Sequence, residues 1–307
     1  NRERALAVLN YQPYDRLPIV HFGFWGETLQ RWVAEGHLAP AEIEGVWDAS
    51  PKEEALAAKL GFDFNWQNMF YSNTGLSPAF EQRVVEDLGG GRRKVLNGSG
   101  MIVLLEDGAG SIPSEVDHLL KGRAEWEGQY RPRLEFSAHR VNLDALRQLP
   151  PAAQRRNPLG LHCGSLIGEV RNWLGVAGLS YLYADDEALY GEILDTVGDL
   201  CYRCVETVLA HRTDFDFAHF WEDICFKNGP LVVPAVFAEK VGPHYRRITD
   251  LVGRHGIHIV SLDCDGKIDA LVPIWLRNGV NTMFPIEVGT WGASLAPWRR
   301  AYGRELR

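Results

Sequence analysis

The chain has 307 residues, 46% of them hydrophobic and 23% charged, and a formal net charge of −8. This is the composition of a globular protein with a substantial core. The acidic balance argues against a general nucleic-acid binder, which needs a basic footprint, and no apolar run approaches the roughly 20 residues of a membrane-spanning helix.

The chain opens on Asn1, and "NRERALAVLNYQ" alternates charged and apolar residues at helical spacing rather than in the manner of a secretory leader. A short helix is predicted over Arg2 to Leu9. "DRLPIVHFGF" carries a strand of about five residues from Leu17. "GETLQRWVAEG" is a helix stopped by Gly36, and "PKEEALAAKLG" is another, with Pro51 near its start and Gly61 at its end. "FDFNW" follows as a short strand. Residues 81 to 106 differ in texture: strand-length runs broken by glycine clusters predict an antiparallel ribbon, with "GGGRR" as a hairpin turn. Residues 107 to 157 are predicted to be mostly loop and short helix.

The second half is more regular. "PLGLHCG" is a strand ending in a turn. "DDEALYGEILDTVGDLCYRCVETVLAH" is a long helix whose apolar residues step by three and four. Cys201 and Cys204 lie on that stripe and are read as packing residues, not as a redox or zinc pair. "FDFAHFWED" is a strand, followed by a helix from about Pro234 to "RHG". "IHIVSLD" is apolar enough for a parallel strand buried on both sides. "ALVPIWLRNG" is a helix, and "VNTMFPIE" is the last strand. Such alternation means βαβ units and a parallel sheet in a single domain over residues 1–307. No G-x-G-x-x-G or P-loop follows a strand, so an open nucleotide-binding sheet loses its main support. Polar clusters at strand ends favour a (β/α)8 barrel with an antiparallel ribbon insertion around 81–106, because barrel enzymes gather their chemistry there.

Five strand ends carry these clusters: His21 with Glu27, His162 with Cys163, His219 with Glu222 and Asp223, Asp263 with Cys264 and Asp265, and Glu287. Desolvating Glu222, Asp223 or Asp263 would raise its pKa and suit it to proton transfer. The plainer alternatives are a helix cap at Asp223 and turn formation at Asp263 and Asp265. Asp263, Asp265 and Cys264 could also ligate a metal, although a strand-end cysteine is often simply a small buried residue. Phe22 and Trp25 belong to an aromatic band that could line a pocket for a flat substrate or pack in the core. The five cysteines, odd in number and irregularly spaced, fit reduced thiols in a cytoplasm rather than a disulfide framework.

Four stretches together resemble the uroporphyrinogen decarboxylase superfamily: "RERALAVLNYQPYDRLPI", "GLHCGSLIGEVRNWLG", "WEDICFKNGPLVVPAVFAEKVGPHYRRITDLVGRHG" and "IVSLDCDGKIDALVPIWLRNGVNTMFPIEV". The resemblance implies a (β/α)8 barrel with its site at the C-terminal mouth, and a homodimer. Since the chain stops at "YGRELR", it also implies a last βα unit beyond Arg307. Two chemistries occur in that superfamily. Decarboxylases work without metal or cofactor and grip a carboxylated tetrapyrrole with arginines. Methyltransferases use cobalamin and a zinc-bound thiol. Here "HFGFWGETLQRW" stands where the decarboxylases carry R-Q-A-G-R-Y, and Asp263-Cys264-Asp265-Gly266 stands where the thiol methyltransferases carry His-x-Cys-Gly. The implied function is that of a divergent methyltransferase branch. It would act on a small methoxy or methylamine substrate, with a corrinoid on a partner protein and a divalent metal such as zinc. Asp223, Glu222 and Asp263 would be catalytic. His21, Phe22, Trp25, His162, Cys163, His219 and Glu287 would contact substrate, and Asp263, Cys264 and Asp265 would hold the metal. The alternatives are a cofactor-free decarboxylase of an aromatic or pyrrole acid, and a non-catalytic binding barrel whose strand-end acids are paired with Arg or Lys.

Overall fold

A computed structural model describes residues 1–108 and 112–307; the loop expected over 109–111 lies outside the described residues. The first elements are α1 (Arg2–Leu9), β1 (Val20–His21), α2 (Gly26–Ala34), α3 (Pro40–Ile43), α4 (Pro51–Lys59), β2 (Phe64–Asn65) and β3 (Met69–Phe70). α4 starts as its sequence suggests. Ser50 caps it by accepting the Glu53 N–H, and Pro51 occupies the first turn, where no N–H is needed. The ribbon comprises β4 (Arg83–Gly89), β5 (Arg92–Leu96), β6 (Met101–Glu106) and β7 (Ser114–His118), antiparallel throughout. Gly90 and Gly91 make the predicted hairpin turn. The ribbon extends past residue 106, where loop was predicted: β7 reads "SEVDH" and is polar and largely exposed, so it lacks the apolar alternation that marks a strand.

Short helices α5 (Arg123–Glu125) and α6 (Leu143–Gln148) lead to β8 (Gly160–His162), α7 (Gly168–Asp185) and α8 (Glu187–Leu209). The apolar stripe of α8 is buried as predicted, Cys201 and Cys204 included, and all five cysteines are free thiols. Next come β9 (Phe217–Trp221), the hairpin β10 (Cys225–Phe226) and β11 (Gly229–Pro230), α9 (Pro234–Lys240), α10 (Gly242–Arg254) and β12 (Val260–Asp263). The last elements are α11 (Val272–Arg277), β13 (Thr282–Phe284), α12 (Val288–Trp291) and α13 (Leu295–Tyr302).

Five strands form a parallel sheet in the order β13-β12-β9-β8-β3, and β1 pairs in parallel with β2. Only Trp66, Gln67 and Asn68 separate β2 from β3, so the segment 64–70 ties the two sheets into one parallel row. That row is curved. Trp66 Nε1 donates to Ser261 Oγ of β12 at 3.2 Å, and the Trp66 ring stacks on Phe217 of β9 at 4.2 Å. Both partners lie two or more strands away from the segment bearing Trp66. At the two ends of the row, Phe22 just after β1 meets Phe284 of β13 edge-on at 5.1 Å. No backbone ladder joins β1 to β13 among the described residues.

Ala5 of α1 packs with Phe64, Trp66, Phe217 and Ile259 and covers the N-terminal ends of the strands. A larger core fills the layer between the sheet and helices α7, α8 and α10, with Trp173, Tyr245, Phe220, Phe237 and Trp275 fully buried. Each such side chain contributes about 1.5–3 kcal/mol through removal from water. The C-terminal strand ends are left free to carry chemistry. No helix among the described residues is long and apolar enough to cross a membrane.

Candidate active site at the C-terminal strand ends

Successive residues of a strand point to opposite faces, so each strand sorts its own side chains. Phe217, Ile259, Trp66 and Phe284 pack in the interior. Counting by two, His219 and Trp221 of β9, Ser261 and Asp263 of β12, and His162 of β8 share that face, and the parallel registers agree. His162 pairs with His219, His219 with Ser261, and Asp263 with both Trp221 and Phe284. The intervening residues face the helices.

On the inner face, three carboxylates converge. One oxygen from each of Asp223, Asp263 and Asp265 lies within 4.8 Å of the others. Asp223 adopts the left-handed conformation, φ +49°, which turns its side chain back across the end of β9. Its Oδ1 accepts the Asp265 N–H at 3.0 Å. Gly266 permits the turn after Asp265: its φ is +88°, and a Cβ would lie 2.6 Å from the Cys225 carbonyl oxygen. Its N–H donates to Glu287, whose other oxygen accepts from Thr290 at 2.8 Å.

Asp263 is only 8% exposed, and among the described residues no hydrogen bond or ion pair reaches its carboxylate. Burial and the neighbouring Asp223 and Asp265 push its pKa up to about 8. Asp265 is exposed, and partial desolvation together with Asp223 and Glu287 pushes it up to about 6. No Lys or Arg among the described residues pairs with any of these acids.

The histidines of the inner face supply no positive charge either. Burial lowers His162 to about 4, and lowers His219 well below the usual range. His219 Nδ1 lies 2.7 Å from Ser261 Oγ. His162 stacks on Tyr71 at 4.7 Å and stands 5.9 Å from His219. Tyr71 follows β3 and is half-exposed. Burial of its hydroxyl, with Asp48 and Asp263 nearby, raises its pKa. Phe284 stands 5.8 Å from His219.

Other expected site residues lie on the helix-facing side. Glu222 is fully buried, with five donors on its carboxylate. They are the backbone N–H groups of Leu166, Ile167 and Gly168 at 2.7–3.0 Å, Ser165 Oγ at 3.2 Å, and the Tyr245 hydroxyl. It therefore fills the N-terminus of α7. Burial raises its carboxyl pKa, although these donors pull it back down in part. Cys264 turns into the core, where its sulfur accepts the Ile224 N–H at 3.4 Å, and a thiol hydrogen bond with Cys225, with burial behind it, raises its pKa. The acidic group expected around Asp263, Cys264 and Asp265 thus has Asp223, not Cys264, as its third member. Cys163 is likewise core, pushed up to about 12 by burial. His21 points toward α4, its Nε2 2.8 Å from Glu53 Oε1. Trp25 is 58% exposed before α2. Tyr71 and Trp221 also border the inner face and are not among the expected residues. Trp221 follows directly from the period of β9, whereas Tyr71 carries no signal in its own segment.

No family model matches the chain, and no curated protein does. Among solved structures, it is similar to a methyltransferase from Methanosarcina mazei, with a TM-score of 0.59 at 14% identity. The match covers 100% of this chain and 81% of that one. At this identity the likeness shows the fold alone.

Proposed function

We propose that this chain is a methyltransferase on a (β/α)8 barrel of the uroporphyrinogen decarboxylase superfamily, moving a methyl group between a small methylated compound and a corrinoid carried by a partner protein. The observation that carries this reading is the inner-face cluster of Asp223, Asp263 and Asp265, with no counter-cation among the described residues, set in a fold like that of a methyltransferase. Such acids can position or protonate the heteroatom from which a methyl group departs, since an ether oxygen leaves poorly without a proton. Asp263 holds a proton at neutral pH beside the strand ends. His162 and His219 stay neutral and serve as hydrogen-bonding walls. Asp223 fixes the Asp265 backbone, and Glu222 fixes the end of β9 against α7.

The donor set is all carboxylate, so Asp223, Asp263 and Asp265 would suit a hard divalent ion; with one bound, Asp263 would give up its proton, and the ion in place of the acid would polarise the leaving heteroatom. It does not fit a thiolate-held zinc, because the Cys264 sulfur lies in the core. The corrinoid would supply the methyl acceptor. A decarboxylase reading is weaker, because an acidic substrate would settle among unpaired carboxylates. A pure binding barrel would have paired those acids with Arg or Lys.

The test is corrinoid methylation, followed by absorbance, with the purified chain, a corrinoid protein and a panel of methoxy and methylammonium compounds. Turnover that falls at least about a hundredfold in Asp263→Asn, as loss of a general acid would produce, supports the proposal. A panel with no methyl transfer to the corrinoid refutes it.

A further inference from the structure

Away from the acid cluster, a cavity of about 450 Å³ lies between β7, the loop after it, the second half of α7 and the first turn of α8. The buried side chains of Leu120, Leu174, Leu182 and Leu189 give it an aliphatic floor. The backbone of α7 is shaped around this place. At Gly175 the helix is broken, with φ +68°, and the His118 ring occupies the break: a Cβ there would lie 2.5 Å from His118 Cε1. Gly178, nearly one turn further on, makes room for no such neighbour. Its backbone is helical, and an added Cβ would meet only Leu174 of the same helix, at 3.4 Å and beyond. A glycine inside a helix weakens it relative to alanine. Packing does not call for this one; the space its missing side chain keeps open belongs to the cavity.

The charged part of the wall is already paired. Lys121 binds Asp117, and Arg123 reaches Glu192 at 3.0 Å and Asp186 at 3.4 Å. Among the described residues of the wall no cation is therefore left to hold an anion, and an incoming cation meets only Asp185, which stands in solvent. Two uncharged polar groups remain. Tyr181 is 68% exposed, and His118 Nε2 has no hydrogen-bond partner among the described residues, since Glu115 Oε2 stands 3.6 Å away. A concave site of several hundred Å³, apolar with a few neutral hydrogen-bonding groups, is the form that small-molecule pockets take. We infer that this cavity is a second small-molecule site, which takes an uncharged ring compound, aromatic or alicyclic, bearing one hydroxyl or carbonyl group. The ring lies over Gly178 and the leucines, and the polar group turns to His118. The inference does not rest on the methyl-transfer reading.

The experiment titrates the whole chain with phenol and cyclohexanol, and with benzoate and cyclohexylammonium as their charged counterparts. Binding is read by saturation-transfer NMR and by the thermal unfolding midpoint. Expected is saturable binding of the two neutral compounds, about tenfold or more tighter than of the charged pair, because a charge entering this wall loses water and gains no partner. The neutral compounds should also raise the midpoint as they saturate the site. Gly178→Leu fills the cavity and should abolish binding while folding at least as well as the wild type, since leucine favours a helix. Gly178→Ala should keep the binding and raise the midpoint without any ligand. Ala177→Phe, at an exposed position of the same wall, should also block binding and carries the test if Gly178→Leu does not fold. The inference is overturned if no neutral compound binds saturably, if the charged compounds bind as tightly, or if folded Gly178→Leu or Ala177→Phe keeps the wild-type affinity.

Discussion

Replacing Asp263 by Asn should make the protein more stable. The ordinary carboxyl value is 3.8, and burial beside Asp223 and Asp265 lifts Asp263 to about 8. Below pH 3.8 the group is protonated both folded and unfolded, and it costs nothing. As pH rises, the unfolded chain ionises while the folded one cannot, so stability is lost progressively until pH 8. Each factor of ten in proton affinity is worth about 1.4 kcal/mol, so the loss reaches about 3 kcal/mol at pH 6 and about 6 kcal/mol above pH 8. Asn has nearly the same shape, carries no charge, and breaks no hydrogen bond, since none is made to the carboxylate. Urea unfolding at several pH values from 4 to 9 measures the effect through the transition midpoint, with the slope unchanged. The difference between variant and wild type should be near zero at pH 4 and grow to several kcal/mol by pH 8. A difference that does not change with pH, or a less stable variant at pH 8, would refute the claim that Asp263 is an unpaired acid held neutral by its surroundings.

Two further substitutions separate the faces of the strands. Glu222→Gln places an amide donor against a ring of donors and should cost about 3 kcal/mol in chemical denaturation, since hydrogen bonds to a buried charge are lost; stability within error of wild type would deny Glu222 its anchoring role. Cys264→Ala should cost about 1 kcal/mol for the removed sulfur and leave ligand binding and turnover unchanged. Loss of either with the fold intact would return the thiol to the site.

The rhythm of strands and helices, the ribbon's first three strands and the gathering of acids at the strand ends were legible in the sequence, because periodicity and strand-end polarity are local properties. Which member of each polar cluster faces the interior was also written there, in the alternation of β9 and β12, but "HFWED" and "LDCDG" read as units conceal it. Parity separates His219 and Trp221 from Glu222, and Asp263 from Cys264. Asp223 keeps the parity of His219 and Trp221, and its left-handed backbone turns it back across the end of β9. Other features were beyond local reading. The carboxylate that fills the start of α7 comes from a residue more than 50 positions later, and no pattern within "GSLIGEV" announces it. β7 was missed for a different reason, being a polar, exposed strand held by its neighbour β6 rather than by a buried face.

Glu222 has one more consequence. In α/β enzymes the positive start of a helix beyond a strand is a common seat for a phosphate. At α7 that seat is taken by the chain's own side chain, which uses up the backbone donors an incoming anion would need. A compound bearing a phosphate handle therefore finds no grip at this corner. By filling that seat from within, the molecule leaves negative charge and aromatic surface at the inner strand ends for whatever comes from outside.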